Sequence, residues 1–324
     1  MRLRNIEFGS VFNASGARNF FGHDNWWFHK LGRPIGLGYK GSTFVTKTTT
    51  LEPRDGFMPL KRNSTKPKEL WPECIKINWL NSTVLNKVGL SGPGLRWLLS
   101  DGSWLERREP FVISVMAVGK SKEDRLSEYH LLASVLAEFL PRFHSPFALQ
   151  INFSCPNVGH DQSEMAEEVT EALAIFANKL LDTPFILKFN ALLEIGRAVA
   201  FGRHERCDAI VMGNTIPWEM LPEVGIDRKA LFGTETSPLA HLGTDGKGGG
   251  LSGAPLLPIH VEWIKAARKA GFTKPIIACG GILHPQDVRW LEDIGASGIE
   301  VGSASILRPW RVQSIIDEGR RVFR

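Results

Sequence analysis

The chain has 324 residues, 43% of them hydrophobic and 23% charged, with a formal net charge of +5. That composition excludes a disordered chain, a collagen-like repeat and a disulfide-dense mini-protein, and the length suits two small domains or one large α/β barrel. The basic residues are scattered, and the densest group, Lys61, Arg62, Lys66 and Lys68, reads as a solvated loop rather than a nucleic-acid patch.

Short apolar, β-rich runs recur at 9–13, 43–47, 111–116, 147–153, 185–189, 209–212, 275–278 and 298–301. Helical patterns lie between the later ones. In 121–139, Leu126, Tyr129, Leu132, Leu136 and Phe139 share a face. In 163–181, Met165, Val169, Leu173, Phe176 and Leu180 do the same. Further helices are predicted at 191–204, 256–270, 285–294 and 309–323, the last with Pro309 in its first turn. Strands alternating with helices imply parallel pairing and right-handed crossovers, and eight such units predict a (β/α)8 TIM barrel. A doubly wound sheet would carry a G-x-G-x-x-G after its first strand, and none is there. Two stretches interrupt the pattern. Residues 17–41 hold Phe20, Phe21, Trp26, Trp27 and Phe28 among glycines, and 52–85 is a long Pro- and Lys-bearing excursion. Both are read as insertions, so that 1–324 forms a single domain.

In such barrels the active site lies at the carboxyl ends of the strands. Those ends read Ala14-Ser15-Gly16, Lys47-Thr48, Asn152-Phe153-Ser154-Cys155-Pro156-Asn157, Lys188, Asn214-Thr215, Gly280-Gly281 and Gly302-Ser303. The last two pairs close the seventh and eighth strands, where barrels commonly bind phosphate through bare backbone N–H groups. Either pair alone is equally well read as a tight turn needing positive φ; the two together favour phosphate. Residues 246–253 are no P-loop, because no Ser or Thr follows Lys247, and they read as a mobile loop whose end, Ser252-Gly253, meets a ligand.

A lysine aimed into a barrel mouth is costly without an anion, be it carboxylate, phosphate or an electron-rich ring. For Lys47, snorkelling to water is a reasonable alternative; for Lys188, between Leu187 and Phe189, it is weaker. Asn152, Asn157 and Asn214 offer donors and acceptors without charge, which suits a planar heterocycle of alternating C=O and N–H groups, although each alone reads as a turn or cap. A lone cysteine is usually a small buried hydrophobe, but Cys155 between two asparagines at a strand end competes as a general base. His160 and Asp161 have no metal-ligand spacing, and Ser154 has no histidine at triad spacing, so neither a metal site nor a Ser-His-Asp hydrolase is expected. The cysteines, Cys74, Cys155, Cys207 and Cys279, include no C-x-x-C and suit a reducing compartment. With no apolar leader and no run of ~18 apolar residues, a cytoplasmic protein is expected.

The segment N-F-S-C-P-N at 152–157 resembles the active-site signature of dihydroorotate dehydrogenases. The resemblance extends in order through N-A-S-G at 13–16, V-T-K-T-T-T-L-E-P-R at 45–54, N-K-V-G-L at 86–90, I-L-K at 186–188, G-N-T at 213–215, G-G-L-S-G at 249–253, C-G-G-I at 279–282 and G-A-S-G-I-E-V-G-S-A at 295–304. It implies an FMN-binding barrel that oxidises dihydroorotate to orotate in pyrimidine synthesis. By position, Cys155 matches the base that takes the C5 proton, while the C6 hydride passes to the flavin. The soluble classes use cysteine here; the membrane-associated class uses serine and has an N-terminal extension. Asn86, Asn152, Asn157, Asn214 and Thr215 match the substrate's hydrogen-bonding set. Lys47 resembles the lysine near both substrate and flavin, and Lys188 the one bonding the isoalloxazine ring. Ala14, Ser15, Gly16, Thr48, Asn152, Gly253, Gly280, Gly281, Gly302 and Ser303 match flavin and phosphate contacts. The resemblance further implies a homodimer and admits an electron-transfer partner subunit, with fumarate, a quinone or NAD as final acceptor.

Three departures from the family pattern stand out. The 16–47 connection is longer and more aromatic than usual. Gly92 stands where an Asn before Pro-Gly is common. Gly213 replaces a bulkier residue. The rival functions are an FMN enzyme acting on a neutral dihydropyrimidine, whose relatives tend to have His where this chain has Asn157, and a non-catalytic flavin-binding barrel, which the retained Cys155 and lysines oppose.

Overall fold

The computed structural model describes residues 1–23, 26–153, 162–244 and 246–323. Seven strands form one parallel sheet in the spatial order Val11–Asn13, Gly298–Val301, Ile276–Cys279, Ala209–Met212, Phe185–Phe189, Phe147–Asn152 and Phe111–Val115. Residues 43–49 fill the remaining gap. They bridge in parallel to both edges, Phe12 to Thr43 on one side, Val45 to Val112 and Thr49 to Val115 on the other. All eight predicted strands are therefore present, and the fold is a (β/α)8 barrel. The eighth stave is irregular because a side chain replaces part of its ladder. Asn13 donates from Nδ2 to the Val45 carbonyl at 2.8 Å and accepts from the Val45 N–H at 3.2 Å.

Period-two alternation decides which strand residues face in. Phe111, Ile113 and Val115, with Phe147, Leu149 and Ile151, pack outward in one cluster with the helices. Phe12, Val45, Val112, Ala148, Ile186, Val211 and Ile277 form a separate interior cluster. The N-terminal hairpin, Arg2–Leu3 against Ile6–Glu7, adds Leu3 to that cluster and closes the amino end. Two residues further along the strands the interior face becomes polar: Ser114, Gln150, Lys188 and Glu300 are all buried.

Helices run over Lys122–Phe139, Gln162–Lys179, Ile195–Arg203, Leu256–Lys269, Pro285–Asp293 and Val312–Val322, close to the predicted spans. Ser121 caps the first through a capping box with Asp124, and His284 does so for the helix opened by Pro285. The first two are joined by a partly buried bidentate pair in which Arg125 donates to both oxygens of Glu168, at 2.6 Å from Nη2.

The described residues of the insertions are parts of the wall. Phe20 and Phe21 join the outer core, and Trp104 Nε1 donates to the Phe20 carbonyl at 2.7 Å. The 52–85 excursion ends in a hairpin, Ile75–Asn78 with Thr83–Asn86. Gly250–Gly253 pairs antiparallel with its second strand, and Ile216–Pro217 completes the four-stranded sheet. The expectation of a loop through 246–253 is corrected for 250–253, which form a paired strand. The glycines there serve close packing: a Cβ at Gly250 would lie 2.3 Å from Thr215 Oγ1, and one at Gly253 2.3 Å from the Ser82 carbonyl. Among the described residues no helix is long and apolar enough to cross a membrane, and Lys61, Arg62, Lys66 and Lys68 are exposed.

Candidate active site

The strand ends meet as one polar surface. Ala14 N–H donates to the Val301 carbonyl at 2.8 Å, and a Cβ on Gly302 would lie 2.9 Å from the Ala14 methyl, so the ends of the first and last strands touch. Ser303 opens the short helix Ala304–Leu307 beside them. Ser15 Oγ accepts from the Thr48 N–H at 2.8 Å and lies 2.9 Å from Thr48 Oγ1. Gly16 has φ +85° and packs against the Lys47 stem.

Gly280 and Gly281 have φ of +101° and +77°, the left-handed region that disfavours side chains. A Cβ on Gly280 would lie 2.7 Å from His260 Cε1, and one on Gly281 2.6 Å from the Leu257 nitrogen. Both positions therefore require glycine for the turn itself, whatever else the bare backbone binds. His260 beneath is buried, which pushes its pKa down to about 4, so the ring is neutral at pH 7. Its Nδ1 is 3.4 Å from the Gly280 carbonyl, and its Nε2 is buried with no partner among the described residues.

The amides gather on the facing side. Asn152 sits in register with Lys188, and Asn214 Nδ2 donates to Asn152 Oδ1 at 2.7 Å. Thr215 N–H donates to Asn214 Oδ1 at 3.1 Å. Asn86 enters from the antiparallel sheet and donates to the Gly250 carbonyl at 3.3 Å, the residue packed on Thr215. Gly213, one of the departures, has φ +138°, and a Cβ there would fall 1.5 Å from the Cys279 carbonyl. Close approach of two strands accounts for it. Gly92 pairs its N–H and C=O with Arg54, and a Cβ would press on the Phe20 ring at 3.1 Å.

The two lysines resolve differently. Lys47 does not snorkel: it is 8% exposed, donates to the Ser91 carbonyl and lies 4.8 Å from the Phe20 ring centroid. Burial pulls its pKa down to about 8. No carboxylate among the described residues pairs with it. Lys188 has its anion: Nζ is 2.6 Å from Glu300 Oε2. Burial pulls the Lys188 pKa down, the Glu300 carboxylate bonded to it pulls it up, and the net direction is upward from the ordinary lysine value.

Glu300, Gln150 and Ser114 were not marked from the sequence. Each breaks an apolar strand as Lys188 does, and that interruption is the signal that would have found them. Of the predicted site residues, Cys155 and Asn157 lie outside the described residues.

The family model for dihydroorotate dehydrogenase matches residues 35–322. A protein of Anoxybacillus flavithermus named dihydroorotate dehydrogenase B (NAD(+)), catalytic subunit, is 30% identical over 280 residues, covering 85% of this chain and 77% of its own. The protein of the same name from Staphylococcus carnosus is 27% identical over 263 residues, covering 79% and 77%. Among solved structures, the dihydroorotate dehydrogenase of Eimeria tenella in complex with ferulenol superposes with a TM-score of 0.64 at 18% identity, covering 98% of this chain and 82% of that one, which supports the fold. With the family model spanning most of the chain, this protein belongs to the dihydroorotate dehydrogenase family, a family of oxidoreductases acting on a CH–CH bond.

Proposed function

We propose that the protein is an FMN-dependent dihydroorotate dehydrogenase that oxidises dihydroorotate to orotate in pyrimidine biosynthesis, acting as a single domain over 1–324. The observation that carries the reading is Lys47, a buried ammonium with no carboxylate partner among the described residues, at the same barrel mouth as Lys188 and the Asn152–Asn214 amide pair. Such a mouth calls for an anionic, hydrogen-bonding planar ligand.

The donor set fits FMN. Gly280, Gly281, Gly302 and Ser303 present bare backbone where a phosphate would sit, with Gly253 beside the Ser82 turn. Ala14, Ser15, Gly16 and Thr48 form the hydroxyl-bearing edge, and Lys47, Asn152 and Lys188 supply side-chain donors for a ring bearing carbonyls. When bound, FMN supplies the acceptor for the C6 hydride. Lys47 meets the substrate carboxylate, which restores the ammonium that burial disfavours. Asn86, Asn152, Asn157, Asn214 and Thr215 hold the pyrimidine edge, and Cys155 removes the C5 proton. Lys47 favours this substrate over a neutral dihydropyrimidine, beside which its buried ammonium would stay uncompensated. Relatives named as catalytic subunits support a further subunit beside this chain, which we read as an electron-transfer partner; a homodimer in the cytoplasm completes the proposal.

The test is anaerobic. Purified protein should be yellow with about one FMN per chain, and dihydroorotate should bleach it. Cys155→Ala should slow bleaching by about 10²–10⁴-fold with FMN retained, the usual loss on removing a general base. Orotate should raise the melting temperature more than uracil. Colourless protein that takes up no flavin, or equal stabilisation by both pyrimidines, would refute the reading.

A further inference from the structure

Beneath the site, one line of buried hydrogen bonds crosses the barrel. Lys188 Nζ donates to Glu300 Oε2 at 2.6 Å, and Gln150 Nε2 donates to Glu300 Oε1 at 2.5 Å. With its amide nitrogen so committed, Gln150 turns its carbonyl to Ser114, whose hydroxyl must donate at 3.1 Å. Ser114 Oγ then accepts from Thr48 Oγ1 at 2.9 Å, and Thr48 lies 2.9 Å from Ser15. The hydrogens that Lys188, Gln150, Ser114 and Thr48 place in this line all point toward Glu300, while the Ser15 hydroxyl donates to the Thr46 carbonyl at 2.9 Å. A carboxylate at that end satisfies the line, whereas a protonated acid would set donor against donor. Glu300 is 1% exposed. Among the described residues, the titratable groups facing Lys188 are Glu300 and Cys279, with Cys279 Sγ 3.9 Å away. Burial pushes that thiol up to about 12, so it is neutral.

We propose that Glu300 is a positioning residue: as the fixed counter-ion of Lys188, it keeps that ammonium charged while cancelling part of its field, and so sets how strongly the site holds negative charge on reduced flavin. The inference rests on FMN binding above Lys188. Reduction adds two electrons and one proton to the flavin ring and leaves one negative charge on it. An ammonium shared with a carboxylate stabilises that charge less than an uncompensated one. A purely structural ion pair is the plainer account, since apolar packing commonly stabilises a core as well as a buried pair does. It gives no reason for the pair to sit at the carboxyl end of the barrel, connected to the Ser15–Thr48 edge.

The test is the FMN midpoint potential of the holoprotein, measured by dye equilibration from pH 6 to 9. Glu300→Gln should still fold, because Gln150 and the hydroxyls can flip and reverse the line. At the acid end its potential should be more positive, by about tenfold in the reduced-to-oxidised equilibrium, which is ~30 mV for a two-electron couple. The gap should close as pH rises, because a buried ammonium without its carboxylate releases its proton at lower pH. In a Lys188→Met background the same substitution should change nothing. Glu300→Asp keeps the charge and should keep the wild-type profile. A yellow Glu300→Gln protein with the wild-type potential throughout, an equal shift without Lys188, or a break in the Glu300→Asp profile would overturn the inference alone. Wild-type protein that binds no FMN would overturn the cofactor reading and this inference with it.

Discussion

Lys47 gives the sharpest test of the site's electrostatics. Its ammonium is 8% exposed and has a carbonyl and a phenyl ring for company, and burial lowers its pKa from 10.5 to about 8. At about 1.4 kcal/mol per unit, the shift corresponds to ~3 kcal/mol against folding while the lysine is charged in both states. Because the folded value lies below the unfolded one, that cost is fully present below pH 8. It disappears as pH rises from 8 to 10.5, where the unfolded chain binds more protons than the folded one. Lys47→Met removes the charge and the bond to Ser91, whose loss costs about 1 kcal/mol. Without added pyrimidine, the variant should therefore be more stable than wild type by ~2 kcal/mol at pH 7, with the advantage fading between pH 8 and 10. Urea unfolding of both proteins across that range isolates the difference. Orotate should invert the comparison at pH 7, stabilising wild type and barely affecting the variant, and its affinity for wild type should fall as pH rises above 8. A stability difference that stays flat from pH 6 to 10 would show that Lys47 is not held in this state, and the anion-site argument would fail with it.

Two further predictions concern the frame. Gly213→Ala should destabilise by more than ~4 kcal/mol or fail to accumulate, because its Cβ would overlap the Cys279 carbonyl. The control Gly225→Ala, at φ +76° with open space around it, should cost only about 1–2 kcal/mol; equal losses in thermal unfolding would refute the steric account. Arg125→Met strands the buried Glu168 and should cost about 3–5 kcal/mol in urea unfolding, most of it recovered by adding Glu168→Gln.

The barrel was legible because its outward strand faces and its helices carry strong periodic patterns: 111–116, 147–153 and 185–189 matched without knowledge of any neighbour. The floor of the site was legible only as a fragment. Lys188 stood out as a charge in an apolar strand, and its need for an anion followed from desolvation. Its partner is 112 residues away, and the next link, Gln150 to Glu300, spans 150 residues. Strand spacing alone does not say which interruptions of which strands meet until the barrel closes. Lys47 was harder still. Whether a strand-end lysine reaches water depends on what lies over it, and here that is Phe20 and Ser91, from irregular segments with no period to read. The same holds for Gly250 and Gly253, whose glycines look loose in a sequence and prove to be places where Thr215 and Ser82 come too close for a side chain.

Floor and wall also have different origins, and this bears on where the protein diverges from its relatives. Ser114, Gln150, Lys188 and Glu300 come from barrel strands, which the fold constrains on both faces. Around Lys47, Phe20 comes from the aromatic stretch after Gly16 and Ser91 from the segment just past the Thr83–Asn86 strand, which itself brings Asn86 to the mouth. Changes in those insertions reach the side of the site assigned to the pyrimidine carboxylate, and they leave the Lys188–Glu300 pair untouched. Divergence of this chain should therefore appear first in which pyrimidine it prefers and how tightly it holds it. On the proposal that the floor tunes a bound flavin, the flavin's electron affinity should change last, because any substitution there must satisfy a line of buried donors and acceptors at once.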